Sequence, residues 1–173
     1  MKENPAGLAN IYAQGAFGEV ARLYLANPEA LWFAGRGKVI NSKGYEIATL
    51  VTLYKNFLLS LNSKVYLLIT NYLMQPSVFL TRSAWKKFGP FTGTGDYITE
   101  YDFWLKLSRI SMPIVIPETL SSFRISTDNI SSVSYIKLLE DDYRIVKKYS
   151  KNILILGLHK LHNLARIAFI KNI

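Results

Sequence analysis

The chain has 173 residues, half of them hydrophobic, enough for one compact domain with a buried core and too apolar for a disordered segment. It has no cysteine, which excludes disulfides, thiolate catalysis and cysteine-ligated zinc and favours an intracellular setting. The net charge of +9 calls for an anionic partner: a phosphorylated substrate, an anionic membrane surface or nucleic acid.

Residues 1–14 carry turn-formers and no period, and MKENPAGLAN has no apolar run of the kind a secretory signal needs. From Gly15 the apolar positions Phe17, Val20, Ala21 and Tyr24 follow helical spacing, and Pro28 stops them. Leu31 to Phe33 and Lys38 to Ile40 read as two short strands separated by Gly35 and Gly37. Asn41 to Gly44 is a turn that returns Tyr45 to Ile47 as a hairpin partner. Leu50, Leu53, Tyr54, Phe57, Leu58 and Leu61 then form the best helical stripe in the chain, and the spacing assigns it to the core. Val65 to Met74 is apolar and fits helix or strand, with Pro76 favouring an extended approach.

The stretch from Gln75 to Leu107 is the place for chemistry. It reads as a strand from Ser77 to Leu80 and a short helix from Ser83, its cap, to Phe88. A loop freed by Gly93 and Gly95 follows, then a helix from Tyr101 to Arg109 with Phe103, Trp104 and Leu107 inward. Glu100 and Asp102 fall at the mouth of that helix, where unpaired N–H groups favour carboxylates and where a rigid element can hold a general base. Ile114 to Ile116 and Leu120 to Phe123 read as strands ending at Arg124, and Thr127 to Ser132 as a polar turn. Helices over about 134–149 and 152–170 close the chain.

From Ser134 onward eight Lys or Arg stand against three acids. In the last helix Leu154, Leu158, Leu161, Ala165 and Ala168 share a stripe, with His159, Lys160, His162, Arg166 and Lys171 supplying charge. Such a helix can lie in a membrane interface, or pack on the domain with a solvated basic edge. His159 and His162 lack a third ligand for a metal. No apolar run is long enough to span a bilayer.

Three pieces, QPSVFLTRSAWKKFGPF, TEYDFWLKL and ETLSSFRISTDNIS, resemble in order the acceptor-side half of inverting family 2 glycosyltransferases. There a Q-P/S strand is followed by a short helix ending in G-x-F. An acidic motif before D-L-W-L-R-L comes next, and a strand pair ends in an Arg-x-His step. Upstream, NIYAQGAFGEVARLYLANPEALWFAGRGKVINSKG resembles the stretch after that family's metal-binding aspartates, so the likeness spans about residues 10–150. It implies an α/β fold: a partial GT-A domain, Rossmann-like with a mixed sheet, over 1–131, and basic amphipathic helices over 132–173 as a C-terminal helical tail. It implies Glu100 as the general base, with Asp102 competing for the role. Gln75, Arg82, Trp104 and Arg124 become candidate substrate-binding residues. Trp85 is weighed with Trp104 as a sugar-stacking platform, and Arg124 either faces a diphosphate or pairs with Glu118 or Asp128. It also implies a nucleotide-sugar donor, a saccharide or lipid-linked acceptor and a divalent cation, Mn or Mg, as cofactor.

Three departures qualify the implication. The family's nucleotide-binding βαβ units have no counterpart before Met1. Leu8-Ala9-Asn10 stands where its metal-binding aspartates should fall, and Ser126 stands where its histidine should. A transferase inactive without a donor half is therefore expected, with a non-catalytic relative that docks on a membrane or another transferase as the alternative. The setting expected is cytoplasmic, peripheral on the inner membrane face. An incomplete sheet with an open edge would favour a homodimer. Nucleic acid ranks last, because the basic residues do not interleave with aromatics in any binding module.

Overall fold

The computed structural model describes residues 10–90, 99–124 and 132–171. Among them the chain is α/β, with a mixed sheet of five strands and seven helices. Its described residues fall into two compact units that interleave along the sequence. One draws on Met1–Leu61, Leu73–Thr81 and Pro113–Asn129, the other on Asn62–Tyr72, Arg82–Met112 and Ile130–Ile173.

The first unit holds the sheet. Strand β1 (Ile11–Tyr12) leads into helix α1 (Ala16–Ala26), then β2 (Trp32–Ile40), β3 (Glu46–Ile47) and helix α2 (Thr49–Leu61). A 3₁₀ turn at Gln75–Ser77 leads into β4 (Val78–Leu80), and β5 (Ile114–Arg124) completes the set. The two short strands expected around Gly35 and Gly37 are one strand, and so are the two expected between Ile114 and Phe123. They run side by side as the parallel pair β2–β5 at the centre of the sheet. β1 lies antiparallel on the far side of β5. The other edge of β2 is shared, with β4 beside Trp32–Ala34 and β3 beside Val39 and Ile40. The outer strands are only two or three residues long, and β1 covers β5 only at Ser121 and Ser122.

Between β4 and β3 the β2 backbone would go unpaired, and side chains fill the gap. Asn56 of α2 accepts from the Gly37 N–H at 3.3 Å and donates to the Gly37 carbonyl at 3.0 Å. The Ser77 hydroxyl donates to the Arg36 carbonyl at 2.9 Å and sits 2.6 Å from the Ser121 hydroxyl. The parallel register shifts at this point, between Gly35 and Gly37. Gly35 has to be glycine, because a Cβ there would run into the Leu120 side chain. Leu120, Phe33, Ile116 and Ala16 form a core cluster, with Val20 and Leu23 of α1 packed on it.

The Asn56 anchor decides which way α2 faces, and it overturns the stripe expected from periodicity. Thr52, Lys55, Asn56 and Leu59 share the inward face. Thr52 and Leu59 are buried there, and Lys55 reaches the Leu73 carbonyl. Of the six stripe residues only Leu58 is buried; Leu50 and Leu53 are 78% and 61% exposed. On α1, likewise, Phe17 and Tyr24 are exposed and Ala16 is the buried residue.

The second unit is helical: α3 (Lys64–Ile69), α4 (Arg82–Phe88), α5 (Thr99–Ser108), α6 (Ser132–Tyr149) and α7 (Ile153–Lys171). The ambiguous apolar run after Val65 opens as helix and becomes extended at Thr70. Helix α4 begins one residue before Ser83, so Ser83 lies inside it. α5 is buried nearly all round, with Tyr101, Phe103, Trp104, Leu105 and Leu107 each at most 3% exposed. The Tyr101 hydroxyl donates to the Leu67 carbonyl at 2.6 Å, tying α5 to α3. α7 is tied to α3 and α6 by polar groups: His159 Nδ1 lies 3.0 Å from the Leu68 carbonyl, and Asn163 donates to the Leu139 carbonyl at 3.3 Å. Among the described residues no helix is long and apolar enough to cross a membrane.

Candidate functional site

The expected site residues divide between the units. Gln75 and Arg124 belong to the first, and Arg82, Glu100, Asp102 and Trp104 to the second. The loop carrying Gly93 and Gly95 lies outside the described residues, as do Leu8, Ala9, Ser126 and Asp128.

At the mouth of α5 the two carboxylates have different roles. Asp102 is committed to the fold. Its carboxylate meets Lys148 of α6 at 3.4 Å, and the Tyr149 hydroxyl donates to its backbone carbonyl at 3.0 Å. Burial and the Asp102 charge together hold the Tyr149 phenol well above its ordinary pKa, so this contact keeps its proton at any physiological pH. Asp102 thus pins α5 to the last turn of α6. Glu100 is half-buried one turn-half earlier, and among the described residues it makes no hydrogen bond or ion pair. Asp102 is spent on a contact between helices, whereas Glu100 has no such contact among the described residues, and a positioned carboxylate of that kind is suited to accept a proton from a bound hydroxyl.

The second unit also carries a basic, partly aromatic edge. Arg82 is exposed at the start of α4, with Lys86 and Lys87 exposed in its last turn. Lys106 donates to the Phe88 carbonyl at 3.0 Å and lies over the Phe88 ring. Trp104 does not serve as a sugar platform. It is 3% exposed and packed edge-on against Phe103, with no ring face to offer. Its position among the inward residues of α5 explains this, since Phe103, Trp104 and Leu107 close the core. Trp85 is the tryptophan with an open surface: it is 43% exposed on α4, its ring 6.3 Å from Phe103.

In the first unit Gln75 is exposed and opens the 3₁₀ turn. Arg124 ends β5 with one terminal nitrogen donating to the Ser42 carbonyl at 2.8 Å. Its Nε is buried without a hydrogen-bond partner among the described residues. One side of a fork suited to a carboxylate or phosphate is therefore engaged by the 41–44 turn.

The described residues do not supply a cation site. Asn10 is exposed and offers one amide oxygen, whereas Mg²⁺ and Mn²⁺ want several hard oxygen ligands. Among the described residues no group of three or more His, Asp or Glu could hold a metal. The family likeness put Glu100 first and kept Asp102 as its competitor, and the spacing of the two residues gives no sign that Asp102 is paired. The ion pair joins residues 46 apart and has no local signature. No family model matches the chain, and no curated protein matches it either.

Proposed function

We propose that this chain is the acceptor-side part of an inverting glycosyltransferase of family 2 type, and that Glu100 is its general base. The reading is carried by Glu100, a half-buried carboxylate at the mouth of an apolar helix that makes no hydrogen bond or ion pair among the described residues. It lies within an ordered series of segments similar to that family's acceptor half. In the reaction the Glu100 carboxylate takes the proton from an acceptor hydroxyl as that oxygen attacks the anomeric carbon of a nucleotide-sugar. The nucleotide leaves from the opposite face, so the configuration inverts. Asp102 keeps α5 in place. Trp85 and Arg82 are the residues on α4 suited to a saccharide, one by its ring face and one by its donors. No step is assigned to a metal.

The test is transfer of labelled sugar from a panel of nucleotide-sugars by the full protein. Glu100→Gln should lower the rate by about 10²–10⁴-fold, the usual contribution of a positioned base. Asp102→Asn should keep most of the activity while lowering stability. Equal transfer by wild type and Glu100→Gln would remove the catalytic role.

A second reading, a non-catalytic relative, is favoured by one observation: the cation the family uses finds no ligand set among the described residues. Wild-type protein inactive with every donor and acceptor would support it.

A further inference from the structure

Helix α7 is turned inside out with respect to polarity. Its inward face carries His159, 0% exposed, and Asn163, 6% exposed, hydrogen-bonded to each other at 3.0 Å. Arg166 beside them reaches the buried Asp142 at 3.0 Å. Its outward face is Ile153, Leu154, Gly157, Leu158, Leu161, Leu164, Ala165 and Ala168, every one exposed. Ile153, Leu154 and Leu161 are 84%, 77% and 63% exposed. These positions recur three and four residues apart, so they form one continuous apolar strip along the helix. A face of this kind is disfavoured in water, because each large aliphatic side chain left uncovered keeps its apolar surface hydrated.

The surroundings of the strip say what covers it. No acidic residue occurs in the chain after Asp142, while Arg144, Lys147, Lys148, Lys151, Lys160, Arg166 and Lys171 do. Alongside the strip a groove of 580 Å³ runs between α6 and α7. Leu139, Leu164 and Ile167 form its apolar wall; Arg144, Lys147 and Lys160 are its cations, and Glu140 is its one acid. Arg144 is held by Asp141 at 3.2 Å and Lys147 lies 5.6 Å over the Tyr143 ring, so both cations are positioned at the rim. An apolar strip edged by fixed cations complements a surface that is apolar below and negatively charged at the level of its head groups.

We propose that α7 docks the protein on anionic lipid bilayers, its Leu154–Leu158–Leu161 strip entering the acyl boundary and Lys147, Lys160 and Arg144 facing lipid phosphates. The helix lies in the interface and does not cross it. The docking does not depend on the glycosyltransferase reading, and its test reads binding, not turnover.

The experiment is co-sedimentation of the full chain with two kinds of vesicle: phosphatidylcholine alone, and phosphatidylcholine with phosphatidylglycerol. Wild type should bind the anionic vesicles at least tenfold more tightly than the neutral ones, and salt should weaken the binding. The triple variant Leu154→Gln, Leu158→Gln, Leu161→Gln should lose at least tenfold in affinity. These side chains are exposed, so its thermal unfolding should match wild type and loss of fold would not explain the loss of binding. Lys147→Ala with Lys160→Ala should lower anionic binding and leave neutral binding unchanged. Undiminished binding by the triple variant, or no binding by wild type, would overturn the proposal. So would a dimer in sedimentation equilibrium that the triple variant dissolves, which would assign the strip to a second copy of the chain.

Discussion

At the scale of single residues, the polar interior of the second unit sets its response to acid. His159 is wedged between the Leu68 carbonyl, at Nδ1, and the Asn163 amide, at Nε2, with the Tyr143 ring 6.0 Å away and Arg166 nearby. The Asn163 nitrogen can only donate, so Nε2 accepts and Nδ1 carries the proton: the imidazole is neutral. Burial, first, and the Arg166 charge depress its pKa below the ordinary 6.5, while its backbone contacts at Leu68 and Ile69 work against them. The unfolded chain therefore binds this proton at a pH where the folded one does not. Stability is full above about pH 6.5 and falls as the pH drops toward the folded value, by at most about 1.4 kcal/mol per pH unit from this group. Urea unfolding between pH 7.5 and 5 should show that slope, and His159→Gln should flatten it. The same scale separates what the sequence could show from what it could not. Carboxylates at a helix mouth are visible in the order of residues. That one of them is spent on Lys148 depends on how α6 returns to α5, which no spacing encodes.

At the scale of elements, most segments were legible because hydrophobic period and turn chemistry agree: α1 stops before Pro28, the Asn41 turn closes onto β3, and α6 and α7 lie within two residues of the bounds expected from the sequence. Orientation was less legible. α2 carries two arcs of helical spacing, one rich in Leu and Phe and one holding Thr52, Lys55 and Asn56. Periodicity selects the first, yet the sheet takes the second, because an unpaired Gly37 backbone buried against the helix has to be satisfied. The unmet hydrogen bonds outweigh the more apolar face. Asn56→Ala should cost about 1–3 kcal/mol, the penalty of leaving the Gly37 groups unsatisfied. Leu53→Gln on the outer arc should change stability by no more than about 0.5 kcal/mol. Chemical denaturation of the two variants, read together, checks which arc faces the sheet.

For the whole molecule, the order of elements gives the α/β class, while the division into units does not follow a cut in the chain. The backbone crosses between them at Leu61, Tyr72, Thr81, Met112 and Asn129. A boundary in sequence shows as a change in composition or a linker, and interleaved units have neither. The merging of strands was hidden for a related reason. Gly35 and Gly37 look like breaks in a strand, and here they allow two neighbours to approach a strand that continues through them.

Trp32–Ile40 lies against β5 on one side, and on the other its backbone is met in turn by β4, by the Ser77 and Asn56 side chains, and by β3. Its amides are sheltered on both flanks over most of the strand, and opening them requires the sheet to come apart. In deuterated buffer this ribbon should be among the last to gain mass, and α1, packed on one face of the sheet with its other face exposed, should label well before it. A slow clock of the sheet is then kept at its two central glycines.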